Sequence, residues 1–345
     1  MVDDKLYFAS DYQEGAHPAI LRRLLENNLT KSPGYGTDRF SENARRLIRQ
    51  ACLAPEAEIH FLVGGTQANA VILDTMLKPY QGVIAADTGH VSVHEAGAIE
   101  HGGHKVLTIL HQNGKISADA IRSCLEAYWQ DGNHEHMVMP GGVYLSQPTE
   151  YGTLYSLSEL EAISAVCRSY RIFLHVDGAR LAYALACPEN DVSLSDLARL
   201  CDVFYIGGTK CGALFGEAVV FPTPGTVPHF FTMVKQHGAL LAKGHITGIQ
   251  FETLFTDGLY RELGRTAIAA ADRIRARLRE QGYCLTYDTP TNQIFITLSP
   301  SQLNRLTEKA ELAFFEKTDD SHTVMRIATS WATTDEDVEK LLALL

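Results

Sequence analysis

Two short segments carry residues whose types could do covalent chemistry. Residues 174–180 read LHVDGAR, and residues 205–212 read YIGGTKCG. Each contains or follows an apolar run typical of a buried strand, so Asp177 and Lys210 are predicted at neighbouring strand ends, where α/β enzymes carry their catalytic groups. A lysine among small residues can form a Schiff base, and an aspartate can keep a pyridinium nitrogen protonated. Together these two residues predict a pyridoxal phosphate site.

The surroundings of these residues support specific roles. Burial among glycines lowers the pKa of a lysine, so the neutral amine of Lys210 can attack an aldehyde. If the strand ends at residue 176, Asp177 projects into the crevice at the sheet edge and Arg180, on the following turn, reaches the same ligand. The alternatives are a solvated lysine and an aspartate that caps the next helix. The joint pattern favours the functional interpretation.

A glycine turn and a histidine follow two other predicted strands. Residues 64–69, GGTQAN, join a strand to a helix, where backbone N–H groups, the helix dipole and the Thr66 hydroxyl favour a phosphate. A simple tight turn explains this segment equally well, and the Gly-Lys-Ser/Thr ending of a P-loop is missing. His90 follows the next strand and could stack on a cofactor ring. Taken alone, that segment is equally typical of a surface loop.

The composition excludes several classes of protein. The net charge of −11 and the lack of a Lys/Arg run argue against a nucleic-acid partner. The first residues lack a signal-peptide pattern, and no apolar run reaches the ~20 residues that span a bilayer, so we expect no membrane partner and a cytoplasmic location. Seven cysteines without a CxxC pair indicate free thiols rather than disulfides or a metal site.

The predicted elements form an α/β fold with a smaller second part. Seven apolar runs predict one mainly parallel sheet, at residues 59–63, 83–86, 106–110, 142–145, 172–176, 203–206 and 218–221. Helices are predicted at 66–77 and 158–169, the second with a capping box formed by Ser158 and Glu161. A long helix over 258–280, a strand over 293–298 and a helix after Asp335 predict a small α+β domain. We therefore expect a large domain over 1–250 and a small C-terminal domain over 251–345.

These motifs resemble the threonine aldolase and β-eliminating lyase branch of the fold-type I pyridoxal phosphate enzymes. Residues 175–180 look like its His-x-Asp-Gly-Ala-Arg motif, residues 65–69 like its phosphate cup, and residues 94–97 correspond to its Phe-Glu-Ala-Gly run. The likeness extends from residue 10 to residue 326. It implies retro-aldol cleavage of L-threonine, L-allo-threonine or a related L-β-hydroxy-α-amino acid to glycine and an aldehyde.

The resemblance also implies a role for each matching residue. The residues that it assigns to the cofactor are Gly65, Thr66, Gln67, His90, Asp177, Arg180, Thr209, Lys210 and Lys243. Ser10 and Arg326 would bind the substrate carboxylate, near Arg180. Tyr35 would reach into the active site of a neighbouring subunit, and Lys243 would meet the phosphate from another subunit. These two roles imply a homodimer or homotetramer with shared active sites.

One departure bears on the substrate. Glu150 stands where the family tends to have a histidine, so His90 and Glu150 are both candidates for the base that takes the substrate hydroxyl proton. A β-eliminating lyase or an aminotransferase is the alternative within the fold, because both use the same lysine and aspartate. A protein that only binds pyridoxal phosphate is the alternative from another class.

Overall fold

Thirteen strands build the sheets in the part of the chain that the structure describes. The computed structural model describes residues 5–345; residues 1–4, where the predicted large domain begins, lie outside it. The strands are β1 (Leu6–Tyr7), β2 (Glu58–Leu62), β3 (Gln81–Ala86), β4 (Val106–Ile109), β5 (Met139–Ser146), β6 (Phe173–Asp177), β7 (Val203–Gly207), β8 (Glu217–Phe221), β9 (Cys284–Leu285), β10 (Gln293–Leu298), β11 (Ala310–Glu311), β12 (Ala313–Lys317) and β13 (Thr323–Ala328).

Helices cover the sheets. They are α1 (Pro18–Asn27), α2 (Arg39–Ala51), α3 (Gly65–Met76), α4 (His90–Val93), α5 (Ala98–His101), α6 (Ala118–Gln130), α7 (Leu157–Tyr170), α8 (Leu181–Ala186), α9 (Leu194–Leu200), α10 (Phe230–Gln236), α11 (His245–Leu254), α12 (Leu259–Glu280), α13 (Pro300–Lys309) and α14 (Asp335–Leu344). None of them, within residues 5–345, is long and apolar enough to cross a bilayer.

The large sheet confirms the prediction of seven mainly parallel strands. Its order is β2-β8-β7-β6-β5-β3-β4; neighbours from β7 to β4 run parallel, and β8 is antiparallel to both of its neighbours. Both faces of this sheet are covered by other elements. On strand β7, Phe204 and Ile206 pack into one apolar cluster, whereas the alternate residues Val203 and Tyr205 pack into another. Since β6 and β7 are parallel neighbours, their carboxyl ends lie at the same sheet edge.

A second, antiparallel sheet has the order β12-β13-β10-β9. The N-terminal segment contacts it: β1 pairs with β11 in a separate two-stranded sheet, and the Ala328 backbone N–H, on β13, donates to the Phe8 carbonyl at 2.8 Å. Strand β13, from this sheet, carries Arg326. The predicted small α+β part is therefore present, with β9, β11, β12, β13 and α13 added to the elements expected from sequence.

The division of the chain at residue 250 stays a prediction. Helix α11 crosses that position. Helix α12 contacts the core of the large sheet through Leu263 and Ala267 and the core of the small sheet through Ile274 and Leu278. The two cores are thus joined by one continuous helix.

Two local predictions were displaced along the chain, the capping box by two residues and a strand by one. The capping box of α7 is formed by Ser156 and Glu159 rather than Ser158 and Glu161. The strand before Asp177 begins at Phe173, because Arg171 ends α7 in the left-handed conformation with φ 56°.

Candidate active site

Two adjoining cavities open at the carboxyl edge of the large sheet. The glycine-turn cavity, about 320 Å³, is lined by Gly64, Gly65, Thr66, Asp177, Thr209, Glu217 and neighbours. The Arg326 cavity, about 510 Å³, is lined by Thr88, Val93, Tyr151, Gln293, Phe314, Arg326 and neighbours. Both include Tyr12, His90, His94, Glu150, Arg180 and Lys210. The cavities therefore bring together most of the residues predicted to do chemistry.

Lys210 lies on the turn after β7, in both cavities. Burial lowers the pKa of its ammonium group, and the positive charge of Arg180 lowers it further, although Asp11, Asp177 and Glu217 oppose this. Its Nζ atom lies 5.8 Å from the centre of the Tyr12 ring. A neutral amine in a cavity is the form that attacks an aldehyde.

Asp177, at the end of β6, is held as a carboxylate by three donors. The Tyr144 hydroxyl donates to Oδ2 at 2.6 Å, Asn69 Nδ2 donates to the same oxygen at 3.1 Å, and the Ala179 backbone N–H donates to Oδ1 at 3.0 Å. Burial would raise the pKa of Asp177, but the His90 charge and hydrogen bonds from Tyr144, Tyr205 and Asn69 lower it. Asp177 is therefore an ionised acceptor, as a pyridinium partner must be.

The Asn69 amide also fixes a neighbouring histidine. Because its two N–H bonds point to Asp177 and to Glu95 Oε1, its Oδ1 atom accepts from His175 Nε2 at 2.9 Å. Burial lowers the pKa of His175 to about 4, so the ring is neutral and carries its proton on Nε2. Asn69 and His175 thus form a chain of polar groups that orients Asp177.

His90 begins the short helix α4 and lines both cavities. Its Nδ1 atom lies 2.7 Å from Glu95 Oε1. Burial would lower the pKa of His90, but the hydrogen bond to Glu95 and the negative charges of Asp177 and Glu95 raise it. The ring is thereby fixed in orientation and favoured in its protonated form. His94, for which the sequence indicated no role, lies close by, with its ring centre 5.7 Å from that of His90.

Glu150 lies half-buried beside His90. Its Oε1 atom accepts from the Ser146 hydroxyl at 2.6 Å and from the His90 backbone N–H at 3.0 Å. Burial raises the pKa of Glu150, although these groups moderate the shift. Since both hydrogen bonds go to Oε1, Oε2 is the oxygen left for a ligand in the cavity.

Arg180 reaches both cavities but is already paired. Its Nε and Nη2 atoms donate to the two Asp11 oxygens at 2.6 and 3.0 Å, which is a bidentate ion pair. This pair raises the pKa of Arg180 against the effect of burial. The N-terminal segment therefore holds the guanidinium in place, a contact that sequence reasoning missed.

Arg326 has unused hydrogen-bonding capacity in its cavity. Its Nη1 atom donates to Gln293 Oε1 and its Nη2 atom to the Ala9 carbonyl, both at 3.0 Å. In contrast, Arg326 Nε and Gln293 Nε2 are buried without a partner. Gln293 and Arg326 both line the cavity, and donors without a partner favour an anionic ligand group there. Ser10, predicted to bind the same carboxylate, follows Ala9 in the chain but does not line either cavity.

The glycine turn has the form of an anion cradle. Gly64 precedes α3 without a side-chain cap, so the first backbone N–H groups of this helix are open to a ligand. A Cβ atom on Gly65 would lie 2.9 Å from the Tyr205 hydroxyl, so the backbone approaches closely here. Gln67 accepts from the Val63 backbone N–H at 3.0 Å and closes the turn rather than lining a cavity. A phosphate therefore fits this end of the cavity, and the adjacent Lys210 and Asp177 fit the ring of pyridoxal phosphate.

Tyr35 and Lys243 do not line either cavity within one chain. They lie on two loops that contact each other: the Tyr35 backbone N–H donates to the Ala242 carbonyl at 3.1 Å. The Tyr35 ring is exposed and lies 4.7 Å from Lys235 Nζ.

Several important groups carried no assigned role from sequence. They are Asp11, Tyr12, Asn69, Glu95, Tyr144, Glu217 and Gln293. Asn69 and Glu95 lie within motifs that the sequence had singled out, so those motifs were their available signal. The others reach the site through sheet register or chain folding, which no local pattern reveals.

Comparisons with known proteins agree with this site. Residues 8–299 match the family model described as beta-eliminating lyase. A low specificity L-threonine aldolase of Pseudomonas aeruginosa is 32% identical over 313 residues, 89% of this chain and 88% of that protein. The structure of the threonine aldolase of Leishmania major covers 98% of each chain at 41% identity, with a TM-score of 0.95.

An aspartate aminotransferase variant of Thermus thermophilus shares the fold, with a TM-score of 0.74 at 16% identity over 99% of this chain and 91% of that one. These findings confirm the predicted fold type, the pyridoxal phosphate cofactor and the lyase class. The chain belongs to the β-eliminating lyase family of fold-type I pyridoxal phosphate enzymes.

Proposed function

We propose that this enzyme cleaves an L-β-hydroxy-α-amino acid, such as L-threonine or L-allo-threonine, to glycine and an aldehyde by a retro-aldol reaction. The names of the relatives support this substrate class. The observation that carries it is Glu150, a half-buried carboxyl that lines both cavities and keeps one oxygen free of described hydrogen bonds. A retro-aldol reaction needs such a base at the β-hydroxyl.

The residues that would hold the cofactor lie around the glycine-turn cavity. The turn at Gly64, Gly65 and Thr66 would take the phosphate, and Asp177 would accept from the ring nitrogen. Lys210 is the amine that would attach to the cofactor. When bound, pyridoxal phosphate supplies an electrophilic aldehyde carbon and a ring that draws in the electron pair released when a bond at the amino-acid Cα breaks.

The substrate carboxylate would bind in the Arg326 cavity. Arg326 Nε and Gln293 Nε2 are buried donors without partners, so a carboxylate there would remove the cost of leaving them unpaired. Arg180 contributes positive charge, but Asp11 already occupies its two described donors. We therefore assign the carboxylate mainly to Arg326.

Glu150 is the better of the two candidates for the base. Only an ionised carboxylate or a neutral imidazole accepts a proton, and Glu95 and Asp177 favour the protonated form of His90. The raised pKa of Glu150 makes it a stronger proton acceptor than an ordinary carboxylate. Glu150 Oε2 would take the β-hydroxyl proton as the Cα–Cβ bond breaks, while His90 stays fixed against Glu95.

Aldehyde release from L-threonine, L-allo-threonine and L-phenylserine tests the function. We expect release by the cofactor-loaded enzyme and none from Lys210→Ala. Glu150→Gln should lower kcat by about 10²–10⁴ for loss of a general base. No release from any of the three substrates, in a protein that shows the cofactor's absorbance, would replace the aldolase assignment by lyase or aminotransferase chemistry.

The same proposal includes a homo-oligomer in the cytoplasm, either a dimer or a tetramer. Tyr35 and Lys243 lie on contacting loops and away from both cavities of their own chain. Placed at a neighbour's site, Tyr35 would contact substrate and Lys243 the phosphate. Mixing inactive Lys210→Ala with inactive Tyr35→Ala subunits tests this, since mixed oligomers should regain activity if sites are shared, and should stay inactive if they are not.

A further inference from the structure

Glu217 is a buried carboxyl that the reaction does not use. It is the first residue of β8, opposite Gly207 of β7, and its side chain lines the glycine-turn cavity together with the turn at residues 64–66. Only 3% of the residue is exposed. A group that can carry a negative charge therefore lies beside the cradle that fits a phosphate.

The partners of Glu217 are all neutral. The Thr209 hydroxyl donates to Oε1 at 2.7 Å, and the Gly208 backbone N–H donates to Oε2 at 3.2 Å. Thr209 Oγ1 in turn accepts from the Gly216 backbone N–H at 3.0 Å, which fixes the orientation of the hydroxyl. Within residues 5–345, Glu217 forms no ion pair. A buried carboxyl with neutral partners is costly to ionise.

The titratable groups that face Glu217 come from four elements. They are Asp177 at the end of β6, Tyr205 on β7, Lys210 and Cys211 on the following turn, and Tyr260 on α12. Burial raises the pKa of Glu217 to about 8, and Asp177 adds to this, while Thr209 and Lys210 oppose it. Two further cationic groups line the cavity and already have carboxylate partners: Arg180 is paired with Asp11, and His90 with Glu95.

We propose that Glu217 is a proton-holding residue of the cofactor pocket, neutral whenever a phosphate group occupies the glycine turn. An ionised Glu217 would repel a phosphate dianion in a cavity of about 320 Å³. A neutral carboxyl removes this repulsion and offers an O–H donor to the phosphate. Binding the cofactor then takes up one proton from solvent at Glu217. The inference rests on the cofactor assignment but not on the aldol reaction.

Pyridoxine 5′-phosphate is the probe, because it carries an alcohol in place of the aldehyde and cannot attach to Lys210. If the ligand binds only when Glu217 is protonated, the affinity for the probe is highest below the pKa that Glu217 has in the ligand-free protein. The affinity falls as the pH rises above that pKa. With that pKa at about 8, the affinity of the wild-type protein should be about tenfold weaker at pH 9 than at pH 7. The phosphate itself is a dianion throughout this range, since its second pKa is about 6.

Glu217→Gln should remove this loss of affinity. Lys210 also titrates but is present in both proteins, so the difference between the two curves belongs to Glu217. Glu252→Gln is the matched control: Glu252 is buried and paired with Arg23 at 2.6 Å, and it lines neither cavity. Its curve should follow that of the wild-type protein.

Calorimetry on the wild-type protein and Glu217→Gln measures the proton uptake directly. At pH 9, binding in two buffers of different ionisation enthalpy should show an uptake about 0.9 proton larger in the wild-type protein than in Glu217→Gln, against a difference of about 0.1 at pH 7. Wild-type affinity that does not change between the two pH values, or an equal loss in Glu217→Gln, would overturn the inference. Failure to bind the probe at all would overturn it together with the cofactor assignment, whereas retained aldehyde release with flat curves would overturn it alone.

Discussion

The ion pair between Asp11 and Arg180 gives a quantitative test of how the N-terminal segment is held. Asp11 is fully buried; its two oxygens accept from Arg180, and Oδ2 also accepts from Asn292 Nδ2 at 2.9 Å. Asp11→Asn keeps the shape of the side chain but removes its negative charge. The substitution therefore imitates protonation of the aspartate, since the amide nitrogen no longer accepts the hydrogen bond that one of the two oxygens accepted.

The pKa shift of Asp11 sets the size of the expected difference in stability between the wild-type protein and Asp11→Asn. Burial would raise it, but the charges of Arg180 and Lys210 lower it from 3.8 to about 2. At 1.36 kcal/mol for each pH unit, ionised Asp11 contributes about 2.4 kcal/mol to the free energy of unfolding at pH 7. Because the pKa is lower in the folded state, this contribution is present above pH 3.8 and is lost as pH falls through about 2. It should decrease to about 1.3 kcal/mol at pH 3.

Urea unfolding of both proteins at pH 7 and pH 3 measures this difference. Asp119→Asn is the control: its side chain is 91% exposed and lies 3.5 Å from Arg122, so it should change stability by less than about 0.5 kcal/mol. A difference between wild type and Asp11→Asn that stays constant, or grows, as the pH falls would refute the reasoning. So would a loss at pH 7 no larger than that of the control.

Three further predictions concern the cavities. Tyr144→Phe removes the 2.6 Å hydrogen bond to Asp177. Because a hydrogen bond to a charged group is worth about 1.5–3 kcal/mol, the dissociation constant of pyridoxal phosphate, measured by equilibrium dialysis, should rise about tenfold or more. In the wild-type enzyme, kcat should fall as pH drops through the raised pKa of Glu150, because the protonated acid cannot accept a proton; Glu150→Gln should lack this acid limb. Arg326→Gln should raise KM for L-threonine about 10–100-fold while kcat changes less. An unchanged dissociation constant, a persistent acid limb or an unchanged KM would contradict the respective role.

Groups at the ends of parallel strands could be predicted from sequence. Apolar runs that end in Asp177 and just before Lys210 read as buried strands, and parallel neighbours place such ends at one edge. His90 after β3 follows the same rule, and the glycine turn after β2 lies at the same edge because β2, across the antiparallel β8, runs in the direction of β7. Each of these residues directly follows the strand that places it. The apolar pattern of that strand therefore also predicts where the residue lies in the fold.

Groups brought in by long-range contacts could not be predicted in this way. Asp11 is 169 residues from Arg180 in sequence, and Glu217 reaches the cavity only because β8 pairs antiparallel with β7. The capping box of α7 illustrates the same limit at short range. Two Ser-x-x-Glu patterns overlap there, and tertiary contacts select one of them: Glu159 accepts from Lys115 at 2.7 Å, which fixes the box at Ser156.

The N-terminal segment and the small sheet act together to build the Arg326 cavity. The segment pairs with β11, and its Phe8 carbonyl accepts from Ala328 on β13 of the small sheet, so the position of Asp11 depends on that sheet. Asp11 then fixes Arg180, which lies on the large sheet's edge, while the Ala9 carbonyl accepts from Arg326 and directs its guanidinium. The two arginines thus owe their positions to the same stretch of chain. A shift of the small sheet would move the counter-ion of one arginine and the acceptor of the other, so substrate affinity and the docking of the small sheet should change together.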